Sequence, residues 1–328
     1  MSRFCMGLIM CLIMGLIAAA FAAALSCSTA SAQSSRQIHF IVPFPAGGGA
    51  DLLTRVLSEQ WSQAHGVSTV IENRPGAASV IGTEAASRAA PDGNTLAIVA
   101  NSFIIHPNFK KLSYDPLTSF EPVCLLANSP QVIVVNSASP YKTLTELLDA
   151  ARAKPGELSN ASVGPASAQH IAMEQLKLLA RVSMVFVPFN GNTPALNQLL
   201  GSHVVTVMSN YSEAVGQVNA GKLRALAAAG KSRIEAWPNV PTVAEQGFKD
   251  YAVEVWYGLI APAKTPKDKI AELSKWCAEA MRAPELKAKW DLQGLSPVGS
   301  SADAFGAHLH QQSADYARVI REANIKGE

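Results

Sequence analysis

The chain has little charge of either sign and no run of basic residues. Of its 328 residues 16% are charged, and the formal net charge is +2. Arg3 is the single charged residue before Arg36, so a chain lacking its first 32 residues carries +1. Such a near-neutral chain has no field to hold a polyanion, and nucleic acid is therefore not an expected partner. Catalytic and metal signatures are missing as well. There is no Gly-x-Ser-x-Gly elbow and no His-Glu-x-x-His motif. His308 and His310 stand two apart on a helical pattern and cannot share a metal face, while His39, His65, His106 and His203 are scattered singly. No cofactor or metal is expected.

Two nucleotide-binding motifs fail on inspection. Gly47 and Gly49 would begin a dinucleotide fingerprint only with a small residue where Leu52 stands. Gly216-Gln-Val-Asn-Ala-Gly221-Lys222 has the spacing of a phosphate loop, but Leu223 replaces the metal-binding hydroxyl and the segment follows a helix instead of a strand. Gly221 reads better as that helix's C-terminal cap.

Cysteine is also scarce where it would count. Cys5, Cys11 and Cys27 precede the mature region, leaving Cys124 and Cys277. Two cysteines make no disulfide framework. Two buried free thiols are expected, because cysteine behaves as a small hydrophobe; pairing in an oxidising compartment is the alternative. The leader itself has Arg3 before an uncharged apolar run from Met6 to Leu25, then Ala30-Ser31-Ala32 at the spacing a signal peptidase reads. Cleavage before Gln33 is expected. A membrane anchor competes, since the run approaches the roughly 20 residues that span a bilayer. Its alanine content and the lack of stop-transfer charges argue for cleavage. Lipid attachment at Cys27 ranks below simple release, because Ala24-Leu25-Ser26 fits that signal poorly.

What is present is an alternation of short apolar runs with helical patterns, the mark of βαβ units and a mainly parallel sheet, with two lobes for a chain of this length. Strands are expected over 38–42, 69–71, 95–99 and 131–135, then 184–187, 204–208, 223–228 and 253–260. Helices are expected over 51–61, with Leu52, Val56 and Leu57 on one face, and over 81–88, 143–154, 171–180, 193–200, 211–219, 266–282 and 301–323. The last helix has few partners nearby and is expected to fold back on the first lobe.

Three strand-to-helix junctions have the chemistry of anion sites. Pro43-Phe-Pro-Ala-Gly-Gly-Gly49 strips the backbone of side chains just before a helix begins, so unpaired amides at a positive helix end face whatever occupies the loop. In Ser162-Val-Gly-Pro-Ala-Ser167-Ala-Gln-His170, Ser167 is a plausible N-cap. In Val187-Pro-Phe-Asn-Gly191-Asn-Thr193-Pro194, Thr193 is expected to cap and Pro194 to take the first helical position, with Asn190 and Asn192 as donors. Each has a purely structural alternative: a tight turn, a capped helix, and a His170 that only packs.

Taken together, the residues resemble the periplasmic solute-binding subunits of tripartite tricarboxylate transporters, the Bug proteins. The landmarks run in one order over nearly the whole mature chain: Ile41-Val-Pro-Phe-Pro-Ala-Gly-Gly with Asp51, Val70-Ile-Glu-Asn-Arg-Pro-Gly76, Leu112-Ser-Tyr-Asp-Pro116 with Phe120-Glu-Pro-Val123, Lys154-Pro-Gly156, Val187-Pro-Phe-Asn-Gly191 with Pro194-Ala-Leu196, Ala220-Gly-Lys-Leu-Arg-Ala-Leu226 and Val240-Pro-Thr-Val-Ala-Glu-Gln-Gly247. The resemblance implies a type II periplasmic-binding fold of two α/β lobes around a ligand cleft. Lobe 1 would comprise 33–135 plus 251–328 and lobe 2 would comprise 136–250, with crossings near Val135 and Tyr251.

It also implies a small organic acid held by backbone amides, hydroxyls and water. The integral membrane permease subunits of a transporter would be the partners, and a monomer in the periplasm the working form. By position, Phe44, Ala46, Gly47, Gly48, Asp51, Asn101 and Ser102 would line the first wall, and Ser162, Gly164, Ser167, His170, Asn190 and Gly191 the second, next to Ser209 and Asn210. Ser209-Asn210 stands where the family usually has an aspartate, and Ala166 replaces a usual glycine. A lost carboxylate there would favour a plain or aromatic acid over an amino acid. The rival functions are an exported ligand sensor for a signalling receptor and a hydrolase using Ser167 and His170.

Overall fold

The strand and helix signals resolve into a mixed α/β arrangement, seen in a computed structural model that describes residues 36–164, 167–189, 191–249, 251–291 and 294–326. In chain order the elements are β1 (Gln37–Val42), α1 (Gly49–His65), β2 (Ser68–Asn73), a 3-10 turn at Ala77–Ser79, α2 (Val80–Ser87), β3 (Thr95–Ala100), α3 (Ser102–Ile105) and β4 (Phe120–Asn136). There follow α4 (Leu144–Ala153), β5 (Ser159–Val163), α5 (Ala168–Ala180), β6 (Val185–Phe189), α6 (Asn192–Leu200), β7 (Thr206–Asn210), α7 (Tyr211–Asn219) and β8 (Leu223–Ala228). The chain ends with β9 (Glu254–Pro262), α8 (Lys267–Met281), α9 (Pro284–Asp291), β10 (Ser296–Pro297) and α10 (Ala302–Glu322). The leader and Cys27 lie outside the described residues. Among the described residues no helix is long and apolar enough to cross a membrane.

β4 is the spine of the sheet. The strands run β2-β1-β3-β9-β4-β7-β5-β6, with β8 and β10 also pairing to β4. Residues Phe120 to Pro130 of β4 register against β9, and Gln131 to Asn136 against β7 and β8. The expected strand over 131–135 is only the second part of this 17-residue element. Pro122 and Pro130 hide the rest, since proline lacks the amide a central strand needs. Here Pro122 borders a register shift and Pro130 is the last residue paired to β9. The mainly parallel expectation also needs correction. β1 with β3, and β5 with β6 and β7, are parallel, but every pairing of β4 and of β9 is antiparallel.

This topology aims two sets of strand ends at one place. The end of β3, Ala100, registers with Tyr257, which registers with Ala127 of β4. The end of β7, Asn210, registers with Gln131. Because β3 and β7 run in opposite directions on either side of the spine, their carboxyl ends converge on the middle of β4, and the parallel neighbours β1, β5 and β6 follow. Loops at the carboxyl ends of parallel strands are where α/β proteins build their sites.

Four apolar clusters cover the sheet. On the first half, Phe40, Trp61 and Trp290 fill one, and Phe103, Trp256 and Phe305 another. On the second half, Leu147, Met173 and Tyr251 fill one, and Val134, Leu196 and Val207 the other. α10 folds back as expected, placing Phe305, Leu309 and Val319 against Val99 and Phe103. The buried face of α1 is Ala50, Leu53, Leu57 and Trp61, and Leu52 points outward, 40% exposed. Trp61 is the large anchor, and residues four and eight before it share its stripe. Cys124 on β4 and Cys277 on α8 are fully buried as anticipated, but they form a disulfide with Cα atoms 6.6 Å apart, correcting the free-thiol expectation. Packing of α8 over β4 brings together residues 153 apart in sequence.

Candidate ligand-binding site

The loop after β1 owes its shape to Asp51. From the first turn of α1 its carboxylate accepts from the Gly47 amide at 2.8 Å, from Arg55 Nε at 2.9 Å and from Asn73 Nδ2 at 3.0 Å. Asn73 also donates to the Phe44 carbonyl at 3.2 Å, tying the loop to β2. Burial pushes the Asp51 carboxyl up, but the hydrogen bonds from Arg55, Gly47 and Asn73 outweigh it and hold the group below its ordinary range. Gly47 has φ +78°, a conformation that side chains rarely adopt. Phe44 packs half-buried on the core, and Ala46 is exposed.

This arrangement selects which amides face the loop. Gly47 gives its amide to Asp51, and Gly48, the N-cap, donates to Pro45 O at 3.3 Å. The Gly49 and Ala50 amides have no acceptor among the described residues, as the first turn of a helix leaves them. Beside them stands Tyr257 of β9: a Cβ on Gly49 would lie 3.5 Å from its hydroxyl. Burial, and then the charge of Glu213, push that hydroxyl up to about 12. Two amides and a phenol thus converge at the positive end of α1.

The other predicted residues of this wall have different fates. The Asn101 side chain is engaged inside the protein, donating to Tyr316 Oη at 2.7 Å and Glu254 O at 3.2 Å and accepting from the Trp256 amide at 3.0 Å. Ser102 Oγ meets Ser79 Oγ at 3.0 Å.

On the second half, Ser167 caps α5 as expected: its hydroxyl accepts from the His170 amide at 3.1 Å and donates to Val163 O at 2.6 Å. The His170 ring is buried, stacked on Phe186 at 3.7 Å, with Nε2 3.6 Å from Glu174. Serine and histidine therefore point to different partners. Ser162 is fully buried and donates to Val163 O at 3.1 Å. Gly164 is open, since a Cβ there would meet nothing within 4 Å.

Asn190 lies outside the described residues. Gly191, at φ 120° and ψ 165°, is the N-cap of α6, which corrects the expectation for Thr193. The helix begins one residue earlier than Thr193, so Pro194 takes its third position, where an amide is unpaired in any helix. Ser209 is fully buried and donates to Asn210 O at 3.2 Å. Asn210 Oδ1 accepts from Gln131 Nε2 at 2.6 Å and Gln169 Nε2 at 3.1 Å.

A carboxyl stands three residues beyond Asn210: Glu213, in the first turn of α7. Glu213 is exposed, yet neighbouring groups still desolvate its carboxyl. Burial raises its pKa, and interactions with the side chains of Asn192 and Asn210 only partly oppose this. Sequence reading passed over Glu213 and Tyr257 for ordinary reasons. An acid in a first helical turn reads as a complement to the dipole, and a tyrosine inside a strand reads as packing. Among the described residues no cluster of His, Cys, Asp and Glu is placed to hold a metal.

The sequence profile of the tripartite tricarboxylate transporter family receptor matches residues 53–325. The chain belongs to this family. Its members are periplasmic solute-binding proteins of two α/β lobes, so the resemblance carried by the sequence motifs is borne out in family and fold. Protein BugT of Bordetella pertussis (strain Tohama I) is 31% identical over 301 residues, covering 91% of this chain and 92% of BugT. The structure of the periplasmic binding protein BugD is similar at 30% identity and TM-score 0.75, over 89% of this chain and 99% of that one. An R. palustris protein solved with adipate is similar at 28% identity and TM-score 0.78, over 89% and 98%. The family is one of binding proteins.

Proposed function

We propose that the protein captures a small carboxylic acid where the two sets of strand ends converge, and delivers it to the integral membrane permease subunits of a tripartite transporter. The observation that carries this reading is the pair of unpartnered amides at Gly49 and Ala50 with the Tyr257 hydroxyl beside them, a donor set matched to one carboxylate. The structure in which adipate is bound to a similar protein supports the substrate class. In this reading the mature chain is monomeric and periplasmic after cleavage of the first 32 residues. Lobe 1 (33–135 plus 251–328) and lobe 2 (136–250) close by a population shift when the acid touches both.

The test is a thermal-shift screen of small mono- and dicarboxylic acids. A binder at 100 times its Kd adds about 2.7 kcal/mol of stability. Tyr257→Phe is expected to weaken a hit roughly 10- to 100-fold, the worth of a hydrogen bond to a charged group, while leaving the unliganded melting temperature unchanged. Stabilisation by no acid, or an unchanged affinity in Tyr257→Phe, refutes this placement. Conversion of a hit into product refutes the binding-protein assignment.

A further inference from the structure

Helices α1 and α7 both open on unpaired first-turn amides, but the first turn of α7 also carries Glu213, whose carboxyl lacks the cation partner that Arg55 gives Asp51 in α1. The side chains of Asn192 and Asn210 stand beside the Glu213 carboxyl, and no Lys or Arg among the described residues pairs with it. Asn192 is 4% exposed, and its Oδ1 has no partner. Gln131, which is tied to Asn210, is fully buried, and its Oε1 has no partner either. Buried acceptors without donors are costly.

Resting on the carboxylate-capture reading, we infer that the α7 end selects an acid whose far end is a hydrogen-bond donor, a hydroxyl or an ammonium, and that Glu213 is the residue that rejects a second carboxylate. The geometry supports both parts. Glu213 follows Asn210 by three residues in the first turn of α7, Asn210 registers with the spine at Gln131, and Ala127, four residues earlier on that spine, registers with Tyr257 of the donor end. A carboxylate placed between Tyr257 and Glu213 would be welcomed at one end and repelled at the other, whereas a donor satisfies Glu213. Discrimination by an unpaired like charge grows as closure of the site excludes water.

Calorimetry on the mature chain at neutral pH, with acids matched in length, tests this. One set is 4-hydroxybutyrate, 4-aminobutyrate and succinate; the longer set is 6-hydroxyhexanoate, 6-aminohexanoate and adipate. The wild-type protein is expected to bind a donor-ended acid at least about tenfold more tightly than the diacid of the same length. Glu213→Gln keeps the shape of the side chain and should bring the two within about twofold, mainly by gaining diacid affinity. If the amino acid loses more than the hydroxy acid in this variant, the donor is an ammonium; the reverse order identifies a hydroxyl. Diacids bound as tightly as donor-ended acids by the wild type, or a ratio unmoved by Glu213→Gln, overturns the inference while acid capture stands. Binding of no acid by the wild type refutes the capture reading itself, and the inference falls with it. Unliganded melting curves of both proteins confirm that the variant folds.

Discussion

Replacing Asp51 by alanine probes how the loop before α1 is held. Three contacts are lost: the Gly47 amide, Asn73 Nδ2 and Arg55 Nε. A hydrogen bond to a charged group is worth about 1.5–3 kcal/mol, but Gly47 is exposed and water can replace part of its bond. The Arg55 side chain is 53% exposed, so its ion pair adds at most about 1 kcal/mol. The sum is a loss of about 2–4 kcal/mol, read as a lower urea midpoint at constant slope. Asp51→Asn keeps one acceptor and should lose about half of that.

The pH dependence follows from the depressed pKa. Above the ordinary value of 3.8 the carboxylate is ionised in both states, and its contribution is complete. As pH falls through the lower folded-state value, protonation removes it. Asp51→Asn should lack this acid-side loss. Acid affinity should drop at least about tenfold in Asp51→Ala, because a relaxed loop no longer presents the Gly49 and Ala50 amides together. A variant within about 0.5 kcal/mol of wild type, with unchanged affinity, would refute this account of the loop.

Gly191→Ala places a side chain at φ 120° and ψ 165° and should cost about 1–3 kcal/mol in chemical denaturation. Gly164→Ala, in open space, should cost under about 1 kcal/mol; equal effects would discount the strain argument. Reduction of the Cys124–Cys277 bond, or paired serine substitutions, should cost roughly 2–5 kcal/mol, since the bond closes a loop of 153 residues. Thiol titration of native protein that finds two reactive cysteines would contradict the pairing. Burial, and then Lys110, depress His106 from 6.5 to about 4. Between these values the unfolded chain takes up a proton that the folded protein refuses. Stability should therefore fall by up to roughly 3 kcal/mol as pH drops through that window. His106→Gln should flatten the profile there, and an identical profile would show that another group is responsible.

Local chemistry made much of the protein legible in its sequence. Glycines and prolines at strand ends, Ser167 ahead of an apolar helical run and Gly221 after one act over a few residues, and they place junctions correctly. In the structure Gly221 donates to Val218 O at 2.9 Å and Lys222 to Gln217 O at 3.0 Å, the paired bonds of a helix end closed by a left-handed residue. The family was legible for the same reason, since its landmarks are these junctions in a set order. Features that depend on distant partners were not. Pro122 and Pro130 concealed β4 because only its neighbours show that their missing amides are not needed. Tyr316 and Trp256 engage Asn101 from distant elements, and the two cysteines looked idle until α8 lay across the sheet. The sequence by itself determined the Ser167 cap, the Gly221 helix end and the glycine-rich loop before α1. Only the tertiary structure decided which strand ends meet, because register across β4 sets Ala127, paired with Tyr257, four residues from Gln131, paired with Asn210, and register is a property of paired strands.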